Sequence, residues 1–157
     1  MLPGVGAFAD GMEELEKREF ISFLMEVAVK GTPLLGICLG MQMLHDRSEE
    51  FGVSEGLGLI PGTVTAILPE AKDGQKLKIP HIGWSNLVRS DNAGFAWDET
   101  LLNGITEDSA LYFVHSFMAQ PEHEKNLIAG CLYGDNFIPA VIQSDNIIGC
   151  QFHPEKS

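Results

Sequence analysis

Cys38 stands between glycines in Leu34-Leu35-Gly36-Ile37-Cys38-Leu39-Gly40-Met41-Gln42, a Gly-x-Cys-x-Gly turn that closes an apolar run. A cysteine at such a strand-to-helix turn is placed as an attacking group, because the sharp bend lifts its side chain out of the sheet edge. The flanking glycines remove Cβ atoms that would collide at the bend. The helix that follows directs its N-terminal N–H groups at the sulfur and favours thiolate over thiol. The backbone N–H of Leu39, next after the sulfur, is placed to receive an oxyanion. Taken alone, the turn also fits a buried core cysteine, the usual fate of a free thiol.

A thiol nucleophile needs a base to take its proton, and the base needs a third group to orient it. The far end of the chain offers both in Ile147-Ile148-Gly149-Cys150-Gln151-Phe152-His153-Pro154-Glu155. An imidazole titrates near neutrality, so His153 suits the base. Glu155 falls on the same side of an extended backbone, within easy reach of that imidazole. Pro154 fixes the backbone between them and biases His153 toward an extended conformation. In isolation, His and Glu at a strand end also fit an ordinary surface loop.

The elements that must hold these groups alternate between helical and strand patterns, which predicts an α/β layered fold. Met12 and Leu15, then Phe20, Phe23, Leu24 and Val27, recur at helical spacing and predict helices over 10–18 and 20–30. Gly31-Thr32-Pro33 stops the second helix, and 34–38 reads as a buried parallel strand. Met41, Met43 and Leu44 continue as the helix after the turn. Short strands are expected over 62–68, 79–88, 110–119, 127–133, 138–143 and 147–152. A charged hairpin loop is expected over 70–75, and a loop with a helical turn over 92–103. His45 either caps the short helix or lies on the surface, His123 is solvated, and His81 packs against Trp84.

Composition bounds the rest. At 157 residues and 45% hydrophobic, the chain supports one domain with a useful core. A net charge of −12 without a basic cluster argues against nucleic acid, whose phosphates it would repel. No apolar run approaches the roughly 20 residues of a membrane-spanning helix, so no membrane partner is expected. The first residues lack the basic start of a secretory leader. The cysteines, 3 in number, are widely separated at Cys38, Cys131 and Cys150 and lack zinc spacing. They read as reduced thiols of a cytoplasmic protein, with Cys131 and Cys150 as core residues and no metal or cofactor.

The turn at Cys38 and the late His153-Pro154-Glu155 together resemble the class I glutamine amidotransferases. The resemblance extends to Pro3-Gly4-Val5-Gly6-Ala7-Phe8, Pro80-His81-Ile82-Gly83-Trp84, Tyr112-Phe113-Val114-His115-Ser116 and Phe152-His153-Pro154-Glu155-Lys156-Ser157. It covers essentially the whole chain and is nearest to the branch serving histidine biosynthesis, the amidotransferase subunits of imidazole glycerol phosphate synthases.

The resemblance implies a flavodoxin-like layered sheet with helices on both faces. It implies glutamine as substrate, hydrolysed to glutamate and ammonia by Cys38, His153 and Glu155. The oxyanion hole would draw on Leu39 and on Gly4, Val5 and Gly6. Gln42, Glu50, His115, Ser116 and Phe117 map onto the family's glutamine pocket. Read as plain sequence, Glu50 also fits solvated charge and His115 a core histidine. The expected partner is a barrel-shaped cyclase subunit in a heterodimer, which takes the ammonia. Lys156 would lie near that partner. The family pattern places a strand, a helix and another strand ahead of Pro3-Gly4. The expectation is therefore a single domain over 1–157, truncated at both ends. Two alternatives remain at this point: a paralogue supplying ammonia for surface-sugar synthesis, and an inactive glutaminase-like module.

Overall fold

The computed structural model describes residues 1–157. The chain opens with a short strand, β1 (Leu2–Gly4), followed by α1 (Phe8–Lys17) and α2 (Phe20–Val29). Strand β2 (Leu34–Cys38) then runs into a single helical turn, α3 (Leu39–Met43). Short strands β3 (Arg47–Ser48), β4 (Ser54–Glu55) and β5 (Gly62–Ala66) lead to β6 (His81–Arg89), β7 (Ala110–His115) and β8 (Phe117–Pro121). Strands β9 (Leu127–Tyr133), β10 (Asn136–Ser144) and β11 (Ile147–Cys150) complete the set.

Seven of these strands form one sheet in the order β1-β2-β11-β10-β9-β6-β7, and a second sheet runs β4-β3-β5-β8. Strands β1, β2 and β11 are mutually parallel, and the neighbours beyond β11 are antiparallel. The α/β class expected from the alternating pattern is the one observed. Strand β2 is buried on the face of Leu34 and Cys38 and half-buried on that of Leu35 and Ile37. Leu34 joins a cluster with Phe8, Leu15, Leu24, Met41 and Leu44, drawn from all three helices. Leu35 and Ile37 face the other way, onto a cluster around Phe113, Ile128, Val141 and Phe152. No helix is long and apolar enough to cross a membrane.

Residues 110–119, expected as one strand, are broken at Ser116. β7 pairs with β6 in the large sheet, and β8 pairs with β5 in the small one. Both halves favour extended backbone, so only their pairing partners distinguish them. His45 is neither a surface residue nor a cap. It is fully buried, and its Nδ1–H donates to the Ile60 carbonyl at 2.9 Å. His81 does not pack on Trp84. It stacks on Tyr133 at 4.2 Å and on Phe113 at 5.2 Å, while Trp84, three residues along the same strand, is 58% exposed. Strand alternation sends those two side chains to opposite faces.

The tightest packing lies where α3 leaves β2. A Cβ on Gly36 would stand 2.6 Å from the Gly40 carbonyl oxygen, and a Cβ on Gly40 would overlap the Leu2 carbonyl of β1. Gly40→Ala is expected to cost about 3 kcal/mol of stability or more, because backbone on both sides blocks relaxation. Urea denaturation of the variant against the parent chain measures it.

Candidate active site

The three parallel strands end at the same edge of the sheet. Register pairs Gly4 of β1 with Cys38 of β2, and Ile37 with Cys150 of β11. The loops leaving those strand ends carry Gly6, Leu39 and His153 into a common cleft. Such carboxyl-end crevices are where open α/β sheets bind their ligands.

Cys38 adopts φ 54°, ψ −113°, a conformation that L-residues avoid unless the surroundings impose it. Here β1, β2 and the close Gly36–Gly40 contact leave the chain no other path. α3 has only five residues, so the local Leu39 N–H, rather than a long helix dipole, acts on the sulfur. Burial pushes the Cys38 thiol up, while the Leu39 N–H and the Gln151 amide pull it back toward the thiolate. Burial drives Cys131 and Cys150 up to about 12, so neither is poised to ionise.

His153 is buried, and its Nδ1–H donates to Glu155 Oε1 at 2.8 Å. Its Nε2 is buried without a partner, so the acceptor nitrogen is left free. The His153 backbone is tied to the end of the large sheet: its N–H donates to the Tyr112 carbonyl at 3.0 Å. Ser157 Oγ donates to the His153 carbonyl at 2.8 Å and accepts from the Tyr112 N–H at 3.1 Å. Glu155 is exposed, and its own backbone N–H and the His153 ring hold its carboxyl below the usual range.

The cleft that joins these groups has a volume of about 650 Å³. Cys38, Leu39, Gln42, Glu50, His153 and Glu155 line it, and Val5, Gly6, His115, Ser116 and Phe117 reach it as well. Gly4 does not. It ends β1 and borders a separate apolar groove against α1 and α2, so its part is to align the segment that follows. Gly6 has φ 105°, a backbone setting natural to glycine, which orients the peptides bordering the cleft.

Several pocket residues carry structural contacts that the sequence did not announce. Glu50 Oε2 accepts the Phe8 N–H at 2.7 Å, closing the start of α1 while its carboxylate borders the cleft. His115 is buried, and its Nδ1–H donates to the Phe117 carbonyl at 2.8 Å. Gln42 spends both amide protons inside the protein, on the Phe117 carbonyl at 3.0 Å and on Gln151 Oε1 at 3.0 Å. Only its carbonyl oxygen remains for a ligand, so Gln42 can accept from a bound group and cannot donate to it. Gln151 was not among the expected site residues. Its full burial beside His153 marks it, and burial is a tertiary property that the sequence does not display.

Comparisons with known proteins bear on the family and the fold. The family described as "Glutamine amidotransferase class-I" matches residues 1–157. The chain is 53% identical to "Imidazole glycerol phosphate synthase subunit HisH 1" of Legionella pneumophila (strain Lens), covering 100% of this chain and 73% of that protein. It is 48% identical to "Imidazole glycerol phosphate synthase subunit HisH" of Sulfurimonas denitrificans, spanning 72% of that relative. Among solved structures, a glutamine amidotransferase from Thermotoga maritima superposes with TM-score 0.62 at 15% identity, covering 96% of this chain and 53% of that one. The glutaminase domain of a Trypanosoma brucei CTPS with bound acivicin gives TM-score 0.58 at 16% identity, over 98% of this chain and 61% of that one. At such identities these structural likenesses speak to the fold alone.

Burial drives both His45 and His115 down to about 4, from an ordinary value of 6.5. The unfolded chain therefore binds protons that the folded chain refuses, and stability falls as pH drops from about 6.5 toward 4. Each histidine contributes up to about 1.4 kcal/mol per pH unit in that window. Urea midpoints across the range are expected to follow this slope, and His45→Gln to flatten it.

Proposed function

The chain belongs to the class I glutamine amidotransferases, glutamine-hydrolysing cysteine enzymes, and we propose that it acts as the glutaminase subunit of an imidazole glycerol phosphate synthase in histidine biosynthesis. The observation that carries the catalytic reading is the free, buried Nε2 of His153 in the same cleft as Cys38, with Nδ1 held by Glu155. An imidazole fixed in that tautomer is a base with one available face.

Cys38 gives its proton to His153 Nε2 and attacks the side-chain amide carbon of glutamine. The Leu39 N–H, with a donor from the Val5–Gly6 backbone, stabilises the oxyanion, each worth a few kcal/mol of barrier. His153 returns the proton to the leaving nitrogen, and ammonia departs from a glutamyl thioester. His153 then takes a proton from water, and the hydroxide attacks the thioester. Glutamate leaves and the Cys38 sulfur is regenerated. Glu50 and the Gln42 carbonyl oxygen supply acceptors for the substrate's α-ammonium.

Ammonia released in water would protonate and disperse, so the reading includes a cyclase subunit of barrel fold that receives it in a cytoplasmic heterodimer. Support for a docked partner comes from the outer face of the β6–β7 pair. Register sets Ile82 beside Val114 and Trp84 beside Tyr112, and all but Tyr112 are large apolar side chains exposed by more than a third. The Lys156 ammonium lies over the Tyr112 ring at 5.0 Å, at the border of the cleft. A face of that kind is characteristic of interaction surfaces.

Glutamate release from glutamine, measured with and without the cyclase subunit and its nucleotide ligand, tests both parts. Activity is expected to rise on adding both. Cys38→Ala should lower it by about 10⁴-fold or more, and Glu155→Gln by a smaller factor of roughly 10 to 10³. Undiminished release by Cys38→Ala would overturn the nucleophile. A folded, Cys38-dependent enzyme indifferent to the cyclase would overturn the partner.

A further inference from the structure

Gln151, just beyond β11, is fully buried, and its backbone N–H donates to the Ala140 carbonyl at 2.9 Å. Its side chain lies between Gln42 and the nucleophile. Gln42 Nε2 donates to Gln151 Oε1 at 3.0 Å, and Gln151 Nε2 stands 3.7 Å from Cys38 Sγ.

The orientation of both amides follows from one carbonyl. The Phe117 oxygen can only accept, so the Gln42 atom facing it at 3.0 Å is the amide nitrogen. That same nitrogen faces Gln151, which must answer with its oxygen. The Gln151 NH₂ is therefore the end that meets the sulfur. The Phe117 carbonyl fixes a second arm in the same way. His115 Nδ1–H donates to it at 2.8 Å, which leaves His115 Nε2 to accept from His81 Nδ1–H at 3.2 Å. His81 Nε2 then accepts from Ser85 Oγ at 3.0 Å. Neither amide can flip without breaking a buried hydrogen bond.

We propose that Gln151 is a catalytic residue of glutamine hydrolysis, donating an N–H···S hydrogen bond that stabilises the Cys38 thiolate and kept in that orientation by Gln42. This rests on the reading of Cys38 as the nucleophile. The sulfur is anionic before attack and again as the thioester collapses, and it is a neutral, poor acceptor in between. A fixed donor therefore favours the charged states on either side of the thioester. The Leu39 N–H also meets the sulfur, but it is the donor required by the oxyanion, whereas the Gln151 amide remains with the sulfur throughout. The ionisable groups around Cys38 are His153, Glu155 and Lys156 after β11, Cys150 on β11, His115 at the end of β7, and Glu50 across the cleft. β1 and α3 contribute none.

The test is the pH dependence of Cys38 alkylation by iodoacetamide without glutamine, with Cys38→Ala subtracted as the blank. Gln151→Met removes the donor at similar volume. Gln151→Glu keeps size and the bond from Gln42 but, ionised, presents only acceptors to the sulfur. Both are expected to raise the alkylation midpoint, Gln151→Met by about one pH unit, which is about tenfold slower reaction near neutrality. In glutamate release, Gln151→Met should lower kcat roughly 10- to 100-fold with little change in KM. Thermal melts establish folding, and if the Met variant does not fold, the near-isosteric Glu variant decides. A folded variant that alkylates with the parent pH profile overturns the inference. Because alkylation needs no turnover, that result leaves the nucleophile reading intact; full glutamate release by Cys38→Ala would overturn both.

Discussion

Everything at the candidate active site depends on one steric constraint, the passage of the backbone between β1 and β2 at Gly36, Cys38 and Gly40. The helical turn after Cys38 lies so close to β1 that a methyl group at Gly40 would meet the Leu2 carbonyl. Held there, Cys38 takes a positive φ that its own preferences resist. The sulfur is thereby presented at the sheet edge with the Leu39 N–H beside it. Packing of strand against strand outweighs the local cost, and the strain becomes a means of positioning.

A second constraint orients what surrounds the sulfur. The chain changes sheets at Ser116, and this turn leaves the Phe117 carbonyl facing into the protein, where it accepts from both Gln42 and His115. Donors and acceptors on either side then have a single consistent assignment, from Ser85 at one end to Cys38 at the other. His115 and His81 act as neutral, directional links in this arrangement. Burial lowers the proton affinity of both rings and keeps them uncharged near neutrality.

The proposed base is held differently. His153 receives its orientation from an exposed carboxylate, and its backbone from β7 and Ser157. One side of the chemistry is thus fixed by buried hydrogen bonds and the other by groups at the cleft mouth, beside the exposed apolar face of β6 and β7. A partner seated on that face would border His153 and its carboxylate partner Glu155, while the hydrogen bonds of Cys38 lie inside the protein.

The sequence by itself determined the chemistry that local pattern can express. The Gly-x-Cys-x-Gly turn requires a backbone that only glycine neighbours permit, and His153 with Glu155 across a proline is an arrangement set within three residues. Strand β9 and both long helices were legible because apolar periodicity is a local property. Tertiary structure alone decided what depends on distant partners. It broke 110–119 between two sheets, turned His81 away from Trp84, buried His45, and spent the amide protons of Gln42 within the protein. It also brought Gln151 to the sulfur across the fold. The physical reason is common to all of these: a side chain's hydrogen bonds and burial are set by whatever the sheet order places beside it. That order arises from pairings between residues far apart in the chain.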